Sequence, residues 1–335
     1  MRSPEVAAWR KRRGVTSCLF ALATAFAIHA SCATAGETAP CSAQPIAAGY
    51  GADGPYGVET QRLANPGDAS DEMTIYFPKG VTTPRPVVFF AHGFGPGLTS
   101  TYAEIIQHMV SKGDIVVFST YAMRGVTIDQ RYDSLWQGFA AATAQFGARM
   151  DLTRVAFVGH SFGGGAAPAM AYKGLVEKGW GKNGAFVMAL APWYSYQATN
   201  AKIAALPAKA IQFIEVYDND QVNDHRMAID LYNTSRATDR FYVLVQSSDA
   251  CRFTADHATP GRNASALQKQ YAVSRPFDAL ADWAFNGGAA ARAALDRMGE
   301  GGAGYQPLRR MRTPEPAHPE SFYRFPWTNA QNPRS

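Results

Sequence analysis

"VAFVGHSFGGGAA", residues 155–167, joins an unbroken apolar run to a glycine- and alanine-rich segment through one serine. The apolar side has the length of a buried strand and the small-residue side reads as a helix, so a tight turn is expected between them. Gly159 and Gly163 flank Ser161 in the pattern G-x-S-x-G. Placed between strand and helix, that pattern describes a nucleophile elbow: the turn lifts the serine hydroxyl clear of the sheet, and glycines avoid collisions that any Cβ would make. A plain turn serine is the competing reading, and only the strand-turn-helix setting separates the two. Pro168 falls inside the following helix, where it removes a hydrogen bond and bends the axis.

Working outward, six further apolar runs share the strand character: "MTIYFP", "RPVVFFAHG", "DIVVFST", "GAFVMALAPW", "AIQFIEVYD" and "RFYVLVQSS". Each is bounded by turn signals, and helical patterns separate them; Tyr102, Ile105, Ile106, Met109 and Val110 recur at helical spacing. Such alternation predicts an α/β fold with a mostly parallel, doubly wound sheet flanked by helices. Only a short interval separates the strand ending near Trp193 from the one beginning near Ala210, so no large lid domain is expected. In sheets of this kind reactive groups gather beyond the carboxyl ends of the strands.

A serine at that edge needs a base and an acid from later loops. His225, His257 and His318 follow Ser161. His225 lies within the helical pattern "QVNDHRMAIDLY" and reads as a surface residue, and His318 sits in a proline-rich tail. His257, in "SSDACRFTADHATP", follows the last strand and precedes the last helix, where the base belongs. Asp218, Asp220 and Asp224 follow "AIQFIEVY". Asp220 stands far enough past the strand to turn toward the base, whereas Asp218 can equally cap the loop; Asp220 is the preferred acid, with Asp218 open. Asp249 reads as a loop or capping residue. "AHGFGPG", residues 91–97, follows another strand, and its glycines allow N–H groups to converge. The expected oxyanion donors are the N–H groups of Phe94 and Phe162, with His92 and His160 in local structural roles.

These residues together resemble the α/β-hydrolase superfamily over roughly residues 70–298: "HGFG", "GHSFG", an Asp after a late strand and a His after the last. Within it, "ALAPW", "YDNDQV" and the lead-in "GPYGVET" are similar to the group that joins dienelactone hydrolases, platelet-activating-factor acetylhydrolases and cutinase-like polyester hydrolases. The resemblance implies a serine carboxylic-ester hydrolase working through an acyl-enzyme, with Trp193 as a substrate contact; a core role for Trp193 stays open. Its elbow departs from the "GWSMG" or "GHSMG" of polyester hydrolases. The implied substrate is a small or extended apolar acyl ester, with polyester or cutin hydrolysis, lipase action through the same triad, acyl transfer and an inactive binding protein as alternatives. The chemistry requires no metal and no organic cofactor, and a monomer is expected.

Composition bounds the rest. The chain has 335 residues, 47% hydrophobic and 18% charged, enough for a large core. Its formal charge of +5 is concentrated at the start, where Arg2, Arg10, Lys11, Arg12 and Arg13 oppose only Glu5. The nearly neutral remainder gives no electrostatic support for nucleic-acid binding. The basic "RKRR", the apolar "CLFALATAFAIHA" and "ATA" at 33–35 read as a signal peptide over residues 1–35, with no stable membrane insertion after cleavage and a secreted or periplasmic destination. Residues 36–298 then form the catalytic domain and 299–335 a Gly/Pro/Arg-rich tail. Cleavage leaves Cys41 and Cys251, which can pair in an oxidising compartment.

Overall fold

The computed structural model describes residues 41–95, 99–298 and 305–334. The signal-peptide reading falls on residues outside these. Among the described residues nine strands form one sheet: β1 (Val58–Asn65), β2 (Asp68–Pro78), β3 (Arg85–Ala91), β4 (Ile115–Ser119), β5 (Met150–His160), β6 (Gly184–Leu190), β7 (Ile211–Tyr217), β8 (Arg240–Val245) and β9 (Leu308–Arg310). Their spatial order is β1-β2-β4-β3-β5-β6-β7-β8-β9. The six strands from β4 to β8 in that order run parallel, while β1, β2 and β9 are antiparallel to their neighbours. Eight α-helices accompany the sheet among the described residues: α1 (Ala103–Ser111), α2 (Ile128–Phe146), α3 (Phe162–Ala171), α4 (Asn200–Ala204), α5 (His225–Thr234), α6 (Ala266–Lys269), α7 (Arg275–Asn286) and α8 (Ala289–Asp296). This is an α/β-hydrolase-like fold.

The central strands are apolar at nearly every position because both their faces are covered. On β3, Val87, Phe89 and Ala91 enter one core with Leu135 and Phe139 of α2, Ala166 and Met170 of α3, and Leu231 of α5. The intervening Val88 and Phe90 enter the other, with Ile105, Ile106 and Met109 of α1, Phe277 and Leu280 of α7, and Leu295 of α8. The alternation of strand side chains thus builds two cores from one run of sequence. Helix α1 buries the residues its spacing singles out. Helix α3 continues beyond Pro168 and widens to π-helical geometry over Tyr172–Glu177.

Two strands are additions to the seven apolar runs. β1 has Glu59, Thr60, Gln61 and Arg62 in sequence and lies at an edge, so it lacks the apolar signature of a buried strand. β9 is short and closes the other edge against β8. Between β6 and β7 the chain carries only α4, and no lid is inserted there. The segment before β1 is tied to the loop after β8 by a disulfide between Cys41 and Cys251. Residues 320–334 pack back on the domain, with an Arg334–Asp230 ion pair near the terminus.

Candidate active site

The elbow is formed where β5 ends. Ser161 has φ 55° and ψ −117°, a backbone conformation that L-residues hold only when their surroundings enforce it, at about 1–3 kcal/mol. Three backbone bonds enforce it here: Ser161 N–H donates to Leu190 O at 2.9 Å, and Ser161 O accepts from Gly165 at 3.0 Å and from Trp193 at 2.8 Å. A Cβ on Gly159 would strike the carbonyl of Gly163, and one on Gly163 would strike the carbonyl of Ala91. Glycine is required at both positions by close backbone approach.

Three loops at the carboxyl ends of β5, β7 and β8 bring their side chains together. His257 Nε2 lies 2.9 Å from Ser161 Oγ, and His257 Nδ1 lies 2.8 Å from Asp220 Oδ2. Asp220 is 1% exposed. Its Oδ1 accepts from the N–H groups of Val222 at 2.7 Å and Asn223 at 3.0 Å, which fixes the carboxylate and leaves Oδ2 for the imidazole. With Asp220 accepting from Nδ1–H, Nε2 is the unprotonated nitrogen that faces the hydroxyl. The network has the geometry of a Ser-His-Asp triad and supports serine-hydrolase chemistry.

The other acidic residues of the loop have different work. Asp218 binds the N–H of Ser247 at 2.7 Å and its hydroxyl at 2.5 Å, joining the loops after β7 and β8. Asp224 caps α5 through the N–H of Arg226 at 2.9 Å. His225, which the sequence reading places on the surface, is buried instead: its Nε2–H donates to Tyr217 O at 3.0 Å, and Ala317 N–H donates to Nδ1 at 3.3 Å. Its helix packs that face against the sheet under the tail, which no local pattern announces. His318 donates to Asp218 O at 2.6 Å.

His160, the variable residue of the elbow pattern, links all the parts. Its Nε2–H donates to His257 O at 2.7 Å, and its Nδ1 accepts from Tyr102 O–H at 2.9 Å. Tyr102 Oη in turn accepts from Gly93 N–H at 2.9 Å. One chain of bonds therefore runs from the loop after β3, through the elbow, to the backbone of the base. Burial, reinforced by the neighbouring His257 ring, pushes His160 down to about 3, so it remains neutral and keeps this donor-acceptor pattern. His92 is also held neutral, pushed down to about 4 by burial; it donates to Gly93 O at 2.7 Å and stacks on Tyr121 at 4.2 Å.

Phe162 opens α3, so its N–H has no acceptor within the helix. Phe94 lies in the loop after β3, 62% exposed, with its ring 6.3 Å from that of Phe162. Both border a cleft of about 470 Å³ that also holds Ser161, His257 and Trp193. Trp193 stands at its wall, half-buried, edge-on to Phe325 at 4.8 Å. Phe325 and Arg324, from the tail, were not singled out by the sequence. The density of aromatics in "SFYRFPWTN" was the available signal; its register is nonlocal, with Arg324 N–H on Gln221 O at 2.7 Å and Phe325 N–H on Val222 O at 3.0 Å. Arg131 and Asn223 are further lining residues.

Among the described residues, no group of three or more His, Cys, Asp and Glu is placed to hold a metal ion, and no helix is long and apolar enough to cross a membrane. No family model matches the chain, and a search of curated proteins finds no significant match. The serine-hydrolase assignment accordingly rests on the α/β-hydrolase-like fold and on the meeting of Ser161, His257 and Asp220 at one edge of its sheet.

Proposed function

We propose that the chain is an exported carboxylic-ester hydrolase that acts on small or extended apolar acyl esters. The observation that carries this is the continuous hydrogen-bonded path from Asp220 through His257 to Ser161, opening on a largely apolar cleft. Ser161 Oγ attacks the ester carbonyl while His257 Nε2 takes its proton. The resulting imidazolium is stabilised by Asp220. As the tetrahedral intermediate collapses, the bond to the alkoxide breaks and His257 returns the proton to the departing alcohol. Water, deprotonated by the same histidine, then attacks the acyl-serine; the acid is released and Ser161 recovers its proton.

The N–H groups of Phe94 and Phe162 are assigned to the oxyanion, where loss of one donor typically costs about 10²–10³ in rate. Trp193 is assigned to the acyl group. The dienelactone-hydrolase-related group, with its cutinase-like members, is the subfamily that "GHSFG" and "ALAPW" favour. Export is supported by the basic and apolar N-terminal pattern and by the Cys41–Cys251 disulfide, a bond that persists in oxidising compartments. The direct test is hydrolysis of 4-nitrophenyl butyrate. Ser161→Ala should lower kcat by about 10⁴-fold or more and abolish labelling by a fluorophosphonate; an undiminished rate overturns the assignment.

A further inference from the structure

The charges around the cleft narrow the substrate class. Two guanidinium groups, Arg131 and Arg324, line the cavity that contains Ser161 and His257, and among the described residues no Asp or Glu lines it. Arg131 is fixed: Nε–H donates to Ala122 O at 3.1 Å and Nη2–H to Met123 O at 2.9 Å, while its plane lies over the Phe94 ring at 5.2 Å. These bonds leave Nη1 uncommitted. Arg324 is exposed, lies over Phe325 at 5.2 Å, and has no carboxylate in ion-pair reach among the described residues. Its backbone is pinned to the loop that carries Asp220, so its charge is delivered to the cleft by the fold.

Some arginines of this protein are neutralised by carboxylates, Arg149 by Glu59, Arg226 by Asp224 and Arg292 by Asp239; the two at the cleft are not, among the described residues. Two cations without an acidic partner among the described residues, beside one apolar cleft, form a positive field directed at whatever enters it. A guanidinium accepts a carboxylate through paired N–H donors and tolerates stacking on an aromatic ring, as both arginines do here. Building on the esterase reading, we infer that the preferred substrate is an ester carrying a second, ionised carboxylate, that is, a hemiester of a dicarboxylic acid. The apolar walls hold the methylene chain, Ser161 takes the ester end, and the arginines receive the free carboxylate. Hydrolysis breaks the acyl–oxygen bond, consumes one water, and releases the alcohol and the dicarboxylic acid.

The test compares monoethyl adipate with ethyl hexanoate, which has the same acyl length and no charge, by following ethanol release from the full chain. The expected wild-type preference in kcat/KM for the hemiester is about two- to fivefold at low salt, the size of one partly exposed charge pair. Raising sodium chloride to about 0.5 M should compress that ratio, since the screening length falls well below 10 Å. Arg324→Gln should bring the ratio toward one, and Arg324→Lys should retain part of it. Equal rates on both esters, or a ratio that Arg324→Gln leaves intact, overturn this inference while the esterase reading stands. Turnover of neither ester, with Ser161 unreactive to the fluorophosphonate, overturns both.

Discussion

Asp218 and Asp220 stand two positions apart in one loop, yet one carboxylate meets an imidazole and the other a serine backbone. The sequence favours Asp220 and leaves Asp218 open, because the choice depends on where the loops after β7 and β8 cross, and loop crossing has no periodicity to read. Asp220→Asn should lower kcat by about 10³–10⁴-fold by presenting the wrong histidine tautomer, as loss of the triad acid does elsewhere. Asp218→Asn should stay within about threefold in kcat and lose about 1–2 kcal/mol in denaturant unfolding, the worth of hydrogen bonds to a charged group. The reverse pattern would exchange their roles. Tyr102 is a positioning residue of a similar kind. Tyr102→Phe strands Gly93 N–H and His160 Nδ1, and should cost about 1–3 kcal/mol of stability. Because Gly93 precedes Phe94, kcat should fall with KM little changed, a split that steady-state kinetics would read directly.

At the scale of elements, the seven strands legible from sequence are those covered on both faces, where packing forces an unbroken apolar run. β1 escapes that reading because half of its residues are exposed and only Asn65 is fully buried. The tail escapes it for another reason: its contacts are backbone bonds to residues 221–224, single aromatic insertions and isolated side-chain bonds such as Arg334 to Asp230, none of which leaves a repeat in the sequence. The triad itself was legible, since each of its loops follows a legible strand. The Cys41–Cys251 bond was legible only as an option, for sequence carries no separation between the two residues. It anchors the loop that goes on to His257. Cys251→Ser, or reduction of the wild type, should lower unfolding free energy by about 2–5 kcal/mol in guanidinium titrations. Identical midpoints for oxidised and reduced protein would show that the bridge contributes nothing to the fold.

For the whole molecule, buried titratable groups set opposing slopes of stability with pH. His92, pushed down to about 4, and His160, pushed down to about 3, are neutral in the fold and take up a proton more readily when unfolded. Their contribution is complete above the unfolded value near 6.5 and is lost as pH falls through their folded values. Glu215 has the opposite sign. It is 0% exposed in β7, with Oε1 accepting from Tyr217 O–H at 2.7 Å and Oε2 without a partner among the described residues, and burial raises it to about 8. Asp114 is likewise raised to about 7, by burial first and then by Asp278. Both acids keep their proton in the fold at pH values where the unfolded chain has released it. Their stabilisation is present below about 4.5 and is lost as pH rises through the folded values. Above pH 6.5 the contribution of His92 and His160 no longer changes, so the two acids set the slope and stability should fall from pH 6.5 to 8. Glu215→Gln keeps an acceptor for Tyr217 and cannot ionise. Against this variant, the wild type should lose up to about 1.4 kcal/mol per pH unit across that interval, one proton's worth of linkage. Calorimetric Tm values at pH 5, 6, 7 and 8 would expose the divergence, and parallel curves would mean that the carboxyl is already ionised within the sheet.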